Sequence, residues 1–401
     1  MPARGATAFT HPRAQGWWAL ANDLQMNMDA IQAALAFNHE PHIMHRTVAR
    51  FVITAALSCM SLACRAEASA SMPSPPNVAV NGLSLTSWQP LQDTPRLWDA
   101  VVSTPALSEP VHVAIYLPAD YDSQPGKRYP VLYLLHGYAD PLDQALPWVV
   151  RGNALAIVDA SPFKGIVVMP QCGKACWFVD WLKPTYGGYK PQWETYHVKQ
   201  LVPWIDANFR TQGTRESRAI AGLSMGGYGA LSIAGRFPDV FGQVGSFSGP
   251  PNIQDITVQQ VVIANTVTLL TGAAYVSTEK GHAWMARDVR DLFGAYASDG
   301  WRSHNPQWMA PVYGQKNVQL ALYAGGGAGP GGLDLLETAV GPLNDKFHDE
   351  LKAKGVPHRY CRGANGKHAY PFWQADLADF LGVIAGQAPA SCPNGWGAPQ
   401  P

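Results

Sequence analysis

The chain is poor in charge. Only 14% of its 401 residues are charged, and 29 basic side chains balance 29 acidic ones. Without a basic surplus there is no electrostatic footprint for nucleic acid and no long-range steering of charged partners. Internal repeats are lacking, and so is any apolar stretch long enough to span a bilayer as a mature helix. Repeat arrays and multi-span membrane proteins are thereby set aside. Cysteine is scarce, at six. Cys172 and Cys176 have the C-x3-C spacing of a metal half-site, but no second ligand pair of suitable spacing accompanies them, so zinc is set aside. What is plentiful is apolar: 47% of the residues are hydrophobic, enough for a large core in one large or two ordinary domains. Thirty-eight Gly and 33 Pro indicate many loops, and 14 Trp suggest an aromatic-lined cleft.

The N-terminal region has its own pattern. From Met44 the chain carries Arg46 and Arg50, then an apolar run from Phe51 to Ala63, then Ala-Ser-Ala ending at Ala70. Charge, apolar core and small residues in that order read as a secretory signal over 44–70, too short to be a bilayer-spanning helix. Residues 1–43 then form an upstream extension foreign to the native start. The competing reading is a genuine N-terminal helix across Trp17–Phe37, which leaves the three-part order unexplained. Cys64 suggests a lipoprotein variant, but Ser61 and Leu62 fit that pattern poorly. The expectation is a secreted or periplasmic protein with no stable membrane insertion after cleavage. Cys172, Cys176, Cys361 and Cys392 then remain in an oxidising compartment. The local pairing, Cys172–Cys176 with Cys361–Cys392, is one of three possible.

Beyond a Pro-rich linker and N-terminal segment (71–105), strand-like and helix-like stretches alternate. Val111–Pro118 alternates as a strand, and Tyr129–Gly137 and Gly165–Pro170 are continuous apolar runs suited to strands buried on both faces. Trp193–Phe209 places Val198, Leu201, Val202, Ile205 and Phe209 on one helical face, bent at Pro203. Strand and helix patterns continue to a last helix near Gly386, with 251–317 as an excursion that breaks the alternation. The expected architecture is α/β, a mostly parallel sheet covered by helices on both faces, over 106–390, followed by a tail at 391–401.

The chemistry is concentrated in Arg218–Leu231, RAIAGLSMGGYGAL. Gly222-Leu223-Ser224-Met225-Gly226 fits a G-x-S-x-G elbow, a sharp strand-to-helix turn that exposes the serine hydroxyl at a helix N-terminus. The glycines two before and two after remove side chains that would collide, and the Met225 amide can donate to a developing oxyanion. A serine hydroxyl needs a base. Of the downstream histidines, His282 and His304 lie in the excursion, His348 falls on the polar side of a helix and reads as solvated, and His358 opens a strand. His368 follows the last strand in a glycine-containing loop, where the order Ser, acid, His and the carboxyl-edge rule place the base. The acid should follow the strand Val318–Gly325. Asp334 and Glu337 both qualify, but their D-x-x-E spacing is also that of a helix capping pair. The second oxyanion amide is expected from Tyr138, after His136-Gly137.

With these pieces in view the chain resembles the esterase D group of α/β-hydrolases, which includes S-formylglutathione hydrolases, feruloyl-type esterases and antigen-85-type mycolyltransferases. YLLHG, VVMP followed by WFVDW, WETYHVKQLVPWI, GLSMGGYGAL, LETAVGPLNDKF and KHAYPFW occur in the group's order. The resemblance implies an α/β-hydrolase fold and a nucleophile Ser224, acid Glu337 and base His368. It implies oxyanion amides at Tyr138 and Met225, leaving Asp334 as a cap. It implies ester hydrolysis through an acyl-enzyme on a small-molecule substrate, with no cofactor or metal. The alternative is acyl transfer to a sugar or other alcohol acceptor. His136-Gly137-Tyr138-Ala139 replaces the mycolyltransferases' Asp-Gly-Leu-Arg loop, so the acyl-site aspartate and arginine are missing. Trp177, Trp181, Trp193 and Trp373 are candidates either for an acyl pocket or for the core.

Overall fold

The computed structural model describes residues 74–91, 94–138, 146–173, 176–184, 188–259, 290–296 and 298–400. The upstream extension, the signal segment, Cys64, His282 and the middle of the 251–317 excursion lie outside the described residues.

Among the described residues nine strands form one sheet in the order β1-β2-β3-β5-β4-β6-β7-β8-β9. They are β1 Ser84–Pro90, β2 Leu97–Ser103, β3 Val111–Tyr116, β4 Val131–Leu135, β5 Ile166–Pro170, β6 Arg218–Leu223, β7 Gln243–Phe247, β8 Gln319–Ala324 and β9 His358–Arg362. The first three pair antiparallel, as do β3 and β5, and the remaining pairings are parallel. Every residue of β4 and β6 is buried. That is why these strands are continuous apolar runs: successive side chains point to opposite faces, and both faces are covered. In β4, Val131, Tyr133 and Leu135 enter one core layer, while Leu132 and Leu134 enter the other.

Five helices matter to that covering: α1 Ala154–Ala160, α2 Val202–Asn208, α3 Met225–Arg236, α4 Leu335–Ala353 and α5 Tyr370–Ile384. The first layer takes Trp204, Tyr228 and Phe347 from α2, α3 and α4. The second takes Val158 from α1 and Leu377 and Phe380 from α5. This is the expected two-sided α/β architecture. Among the described residues no helix is long and apolar enough to cross a membrane. Cys172 is bonded to Cys176 and Cys361 to Cys392, the local pairing.

Three findings differ from the sequence reading. Residues 71–105, expected as linker and N-terminal segment, contain β1 and β2, which extend the sheet, with Trp88 stacked on the buried Trp98 at 4.7 Å. Edge strand β1 exposes most of its side chains, so its hydrophobic signal is weak. His348 is buried instead of solvated. It faces His358 (Nδ1 to Nε2, 2.7 Å) and stacks on Tyr360, because α4 packs against the edge of β9.

The third concerns the helix bent at Pro203. It runs as a π-helical segment, Thr195–Leu201, and then α2. Pro203 cannot donate to the Lys199 carbonyl four residues back. That carbonyl accepts instead from Asn81 Nδ2 at 2.7 Å. Asn81 itself has φ 49°, a left-handed conformation that Asn and Asp tolerate. Asn81→Asp keeps that tolerance and removes the donor, so it should destabilise by about 1 kcal/mol. Urea unfolding checks this: the midpoint should fall with an unchanged slope.

Candidate active site

The elbow is built by β6, β7 and α3. Ser224 has φ 54° and ψ −120°, a region that side chains rarely adopt, and it forms the N-cap of α3. Its amide donates to the Phe247 carbonyl at 2.8 Å, and its carbonyl accepts the Tyr228 amide at 3.0 Å. A strand bond on one side and the first helical bond on the other pin the turn. A Cβ on Gly222 would lie 2.6 Å from the Gly226 backbone, and one on Gly226 would lie 2.6 Å from the carbonyl oxygens of Leu135 and His136. These contacts are with backbone, which cannot step aside as a flexible side chain could.

His368 comes from the loop after β9. Its Nε2 lies 2.8 Å from Ser224 Oγ, and its Nδ1 lies 2.8 Å from Glu337 Oε2. Glu337, in the first turn of α4, is fully buried. Its other oxygen accepts from Ser248 Oγ at 2.9 Å and from the Gly325 amide at 2.5 Å. Both carboxylate oxygens are therefore engaged, as a buried carboxylate requires. With Glu337 accepting from Nδ1–H, His368 Nε2 is left to accept the Ser224 hydroxyl proton.

Asp334 is the N-cap of α4: its Oδ1 accepts the amides of Leu336 and Glu337. Its Oδ2 accepts the His368 amide at 3.1 Å. The D-x-x-E pair thus divides its work. Asp334 caps the helix and holds the histidine loop, while Glu337 turns its side chain to the imidazole. His304, His348 and His358 are engaged elsewhere, with Gly300 and with each other.

Ser248 is the participant that sequence reasoning missed. It sits just past β7 with φ 50°, donates to Glu337 and accepts from Trp373 Nε1 at 3.1 Å. The Trp373 ring in turn stands edge-on to His368 at 5.0 Å. The carboxyl-edge rule that located His368 could also have drawn attention to Ser248. All four tryptophans are buried in the core, and Trp177 and Trp373 also line the cavity in front of Ser224.

That cavity, of about 260 Å³, is lined by Ser224, His368, Tyr138 and Met225 and by apolar groups including Val258 and Val340. Burial pushes the Tyr138 hydroxyl up to about 12, so it stays protonated at neutral pH. His136 fixes the Gly137–Tyr138 turn from behind: Nδ1 donates to the Gly137 carbonyl at 2.8 Å and Nε2 accepts the Cys172 amide at 2.9 Å. Among the described residues no group of three or more His, Cys, Asp or Glu side chains could hold a metal ion.

Comparison with known proteins adds a family. Residues 104–384 match the sequence model of the Esterase family. Esterase Rv1288 of Mycobacterium tuberculosis is 30% identical over 308 residues, 75% of this chain, which spans 61% of that relative's length. The diacylglycerol acyltransferase/mycolyltransferase Ag85B of Mycobacterium leprae is 29% identical over 264 residues, 63% of this chain and 74% of its own. The crystal structure of Mycobacterium tuberculosis MPT51 (FbpC1) superposes with a TM-score of 0.59 at 22% identity, covering 76% of this chain and 100% of that one. It shares the fold.

The elbow glycines are open to direct test. Gly226→Ala forces a Cβ against two backbone carbonyls, and overpacking of this kind costs about 1–3 kcal/mol or more. Thermal unfolding should show a clear loss of stability, whereas Ala substitution at the open, exposed Gly126 should shift the midpoint little.

Proposed function

This chain belongs to the Esterase family, and we propose that it is a serine carboxylesterase working through Ser224, His368 and Glu337. The observation that carries the reading is the unbroken contact chain from Ser224 Oγ through both ring nitrogens of His368 to Glu337 Oε2, each link 2.8 Å.

In the proposed mechanism Ser224 Oγ attacks the ester carbonyl as its proton passes to His368 Nε2. Glu337 faces the imidazolium that forms and stabilises it; it also fixes the ring tautomer through Nδ1. The carbonyl oxygen becomes an oxyanion, received by the amides of Tyr138 and Met225, with the α3 N-terminus adding a favourable dipole. His368 then returns its proton to the departing alcohol, leaving an acyl-enzyme. Water repeats the cycle and releases the acid. The apolar cavity suits the acyl or aryl part of the ester. Export is part of the proposal: the two disulfides are at home in an oxidising compartment, which agrees with the signal pattern over 44–70.

Acyl transfer is the second reading, favoured by the likeness to Ag85B. It shares every step up to the acyl-enzyme and differs in the acceptor. The His136-Gly137-Tyr138-Ala139 loop speaks for water. Product analysis with glycerol or a sugar competing against water separates the two: free acid should dominate, and a dominant transfer product would reverse the assignment.

Substitution tests the triad. Ser224→Ala should lower kcat on a p-nitrophenyl ester about 10⁴-fold or more. Glu337→Gln should cost about 10³-fold or more, because the tautomer is lost. Asp334→Asn can still cap α4 but gives up the second carboxylate oxygen that accepts the His368 amide, so it should cost about ten-fold, far less than Glu337→Gln. Equal losses at 334 and 337 would remove Glu337 from its role.

A further inference from the structure

We propose that the C-terminal tail, Cys392–Gln400, sets the position of His368, with Trp396 as a positioning residue; this rests on the reading of His368 as the base.

His368 ends a loop, 363–368, that has no secondary structure of its own to hold it. One side of the loop is zipped to the 325–328 turn: the Gly326 amide donates to Asn365 O, Gly327 to Gly366 O, and Gly366 to Ala328 O. That turn also supplies the Gly325 amide to Glu337, so loop and carboxylate share one support. The other side is covered by the tail. Trp396 lies against Gly363 and Gly366 so closely that a Cβ on Gly366 would be 2.7 Å from its ring, and one on Gly363 would collide with the indole nitrogen. Nε1–H of the indole donates to Asn365 Oδ1 at 3.0 Å. Gly366 has φ 106°, a conformation for which glycine is suited. The two glycines therefore give the indole a flat floor, and the half-buried indole roofs the loop.

The tail is held firmly enough to act. Cys361, two residues before Gly363, is bonded to Cys392. Tyr360 and Gln400 exchange backbone hydrogen bonds at 3.2 and 2.8 Å. Asn394 Nδ2 donates to Asp376 Oδ1 on α5 at 3.0 Å, and Arg359 donates to the carbonyls of Pro389 and Ser391. Disulfide, backbone pairing and side-chain bonds thus anchor the tail at both ends of Trp396. The indole meets the loop at Gly363, Asn365 and Gly366, so its action passes through residues 363–366.

The test compares Trp396→Ala, Trp396→Leu and Trp396→Phe with wild type. Trp396 is half-buried on a surface tail, so the core remains to fold without it, and Leu serves if Ala is unstable. Removing the roof should lower kcat by about ten-fold or more with KM within about two-fold, since misplacement of a base acts on the chemical step. Phe keeps a ring over the glycines and should restore most of kcat. Combined with His368→Ala, the Trp396→Ala change should have almost no further effect, as expected for two residues acting through one group. Hydrogen exchange supplies a readout that needs no activity: amides of 363–368 should exchange about ten-fold faster in Trp396→Ala, with β4 and β6 unaltered. Unchanged exchange in this loop, or a loss confined to KM, would overturn the proposal. A wild-type protein inert towards every ester would instead defeat the esterase reading, and the exchange result would still decide whether the tail holds the loop.

Discussion

The site depends on one constraint, the backbone of Ser224. At φ 54° and ψ −120° it sits where a side-chain-bearing residue costs of order 1–3 kcal/mol. The turn persists because its surroundings leave no alternative. The Phe247 carbonyl holds the serine amide, α3 begins at its carbonyl, and the backbone of β4 lies against Gly222 and Gly226. Relaxing the serine would break a strand bond and the first bond of a buried helix. The strain is thus borne by the sheet, and its consequence is a hydroxyl facing an open cavity at the N-terminus of α3.

The remaining groups arrive by the same logic. Parallel strands β6, β7, β8 and β9 deliver their carboxyl ends to one rim, and each following loop contributes a piece: Ser224, Ser248, the Gly325–Glu337 segment and His368. A fully buried carboxylate is costly unless satisfied. Glu337 is satisfied by an amide, a hydroxyl and the imidazole, leaving it oriented by three separate parts of the chain. Asp334 performs a second task from the same helix end by holding the His368 amide.

How much of this was legible before the fold was known follows from the range of each interaction. The buried parallel strands declare themselves as continuous apolar runs, and the elbow declares itself because its steric demands fall within five consecutive residues. His368 could be chosen from chain order and the sheet-edge rule. Asp334 and Glu337 could not be separated by spacing, since cap and acid use the same residue types in the same turn; resemblance made the choice, and in the structure the two carboxylates face different partners. Ser248 was hidden in an ordinary-looking GSFSG at a strand end. Strand β1 was hidden because an exposed edge strand has little apolar signal. The burial of His348 and the packing of Trp396 on Gly363 and Gly366 depend on partners distant in sequence or on contacts that only the folded chain creates.

The proposed chemistry rests on Ser224 attacking a carbonyl whose oxygen is received by the amides of Tyr138 and Met225. A crystal structure of the protein after reaction with an alkyl fluorophosphonate would show both groups at once. A single covalent adduct is expected on Ser224 Oγ, with the phosphoryl oxygen about 2.7–3.1 Å from both amide nitrogens. An unmodified Ser224, or an adduct whose phosphoryl oxygen points away from those amides, would contradict it.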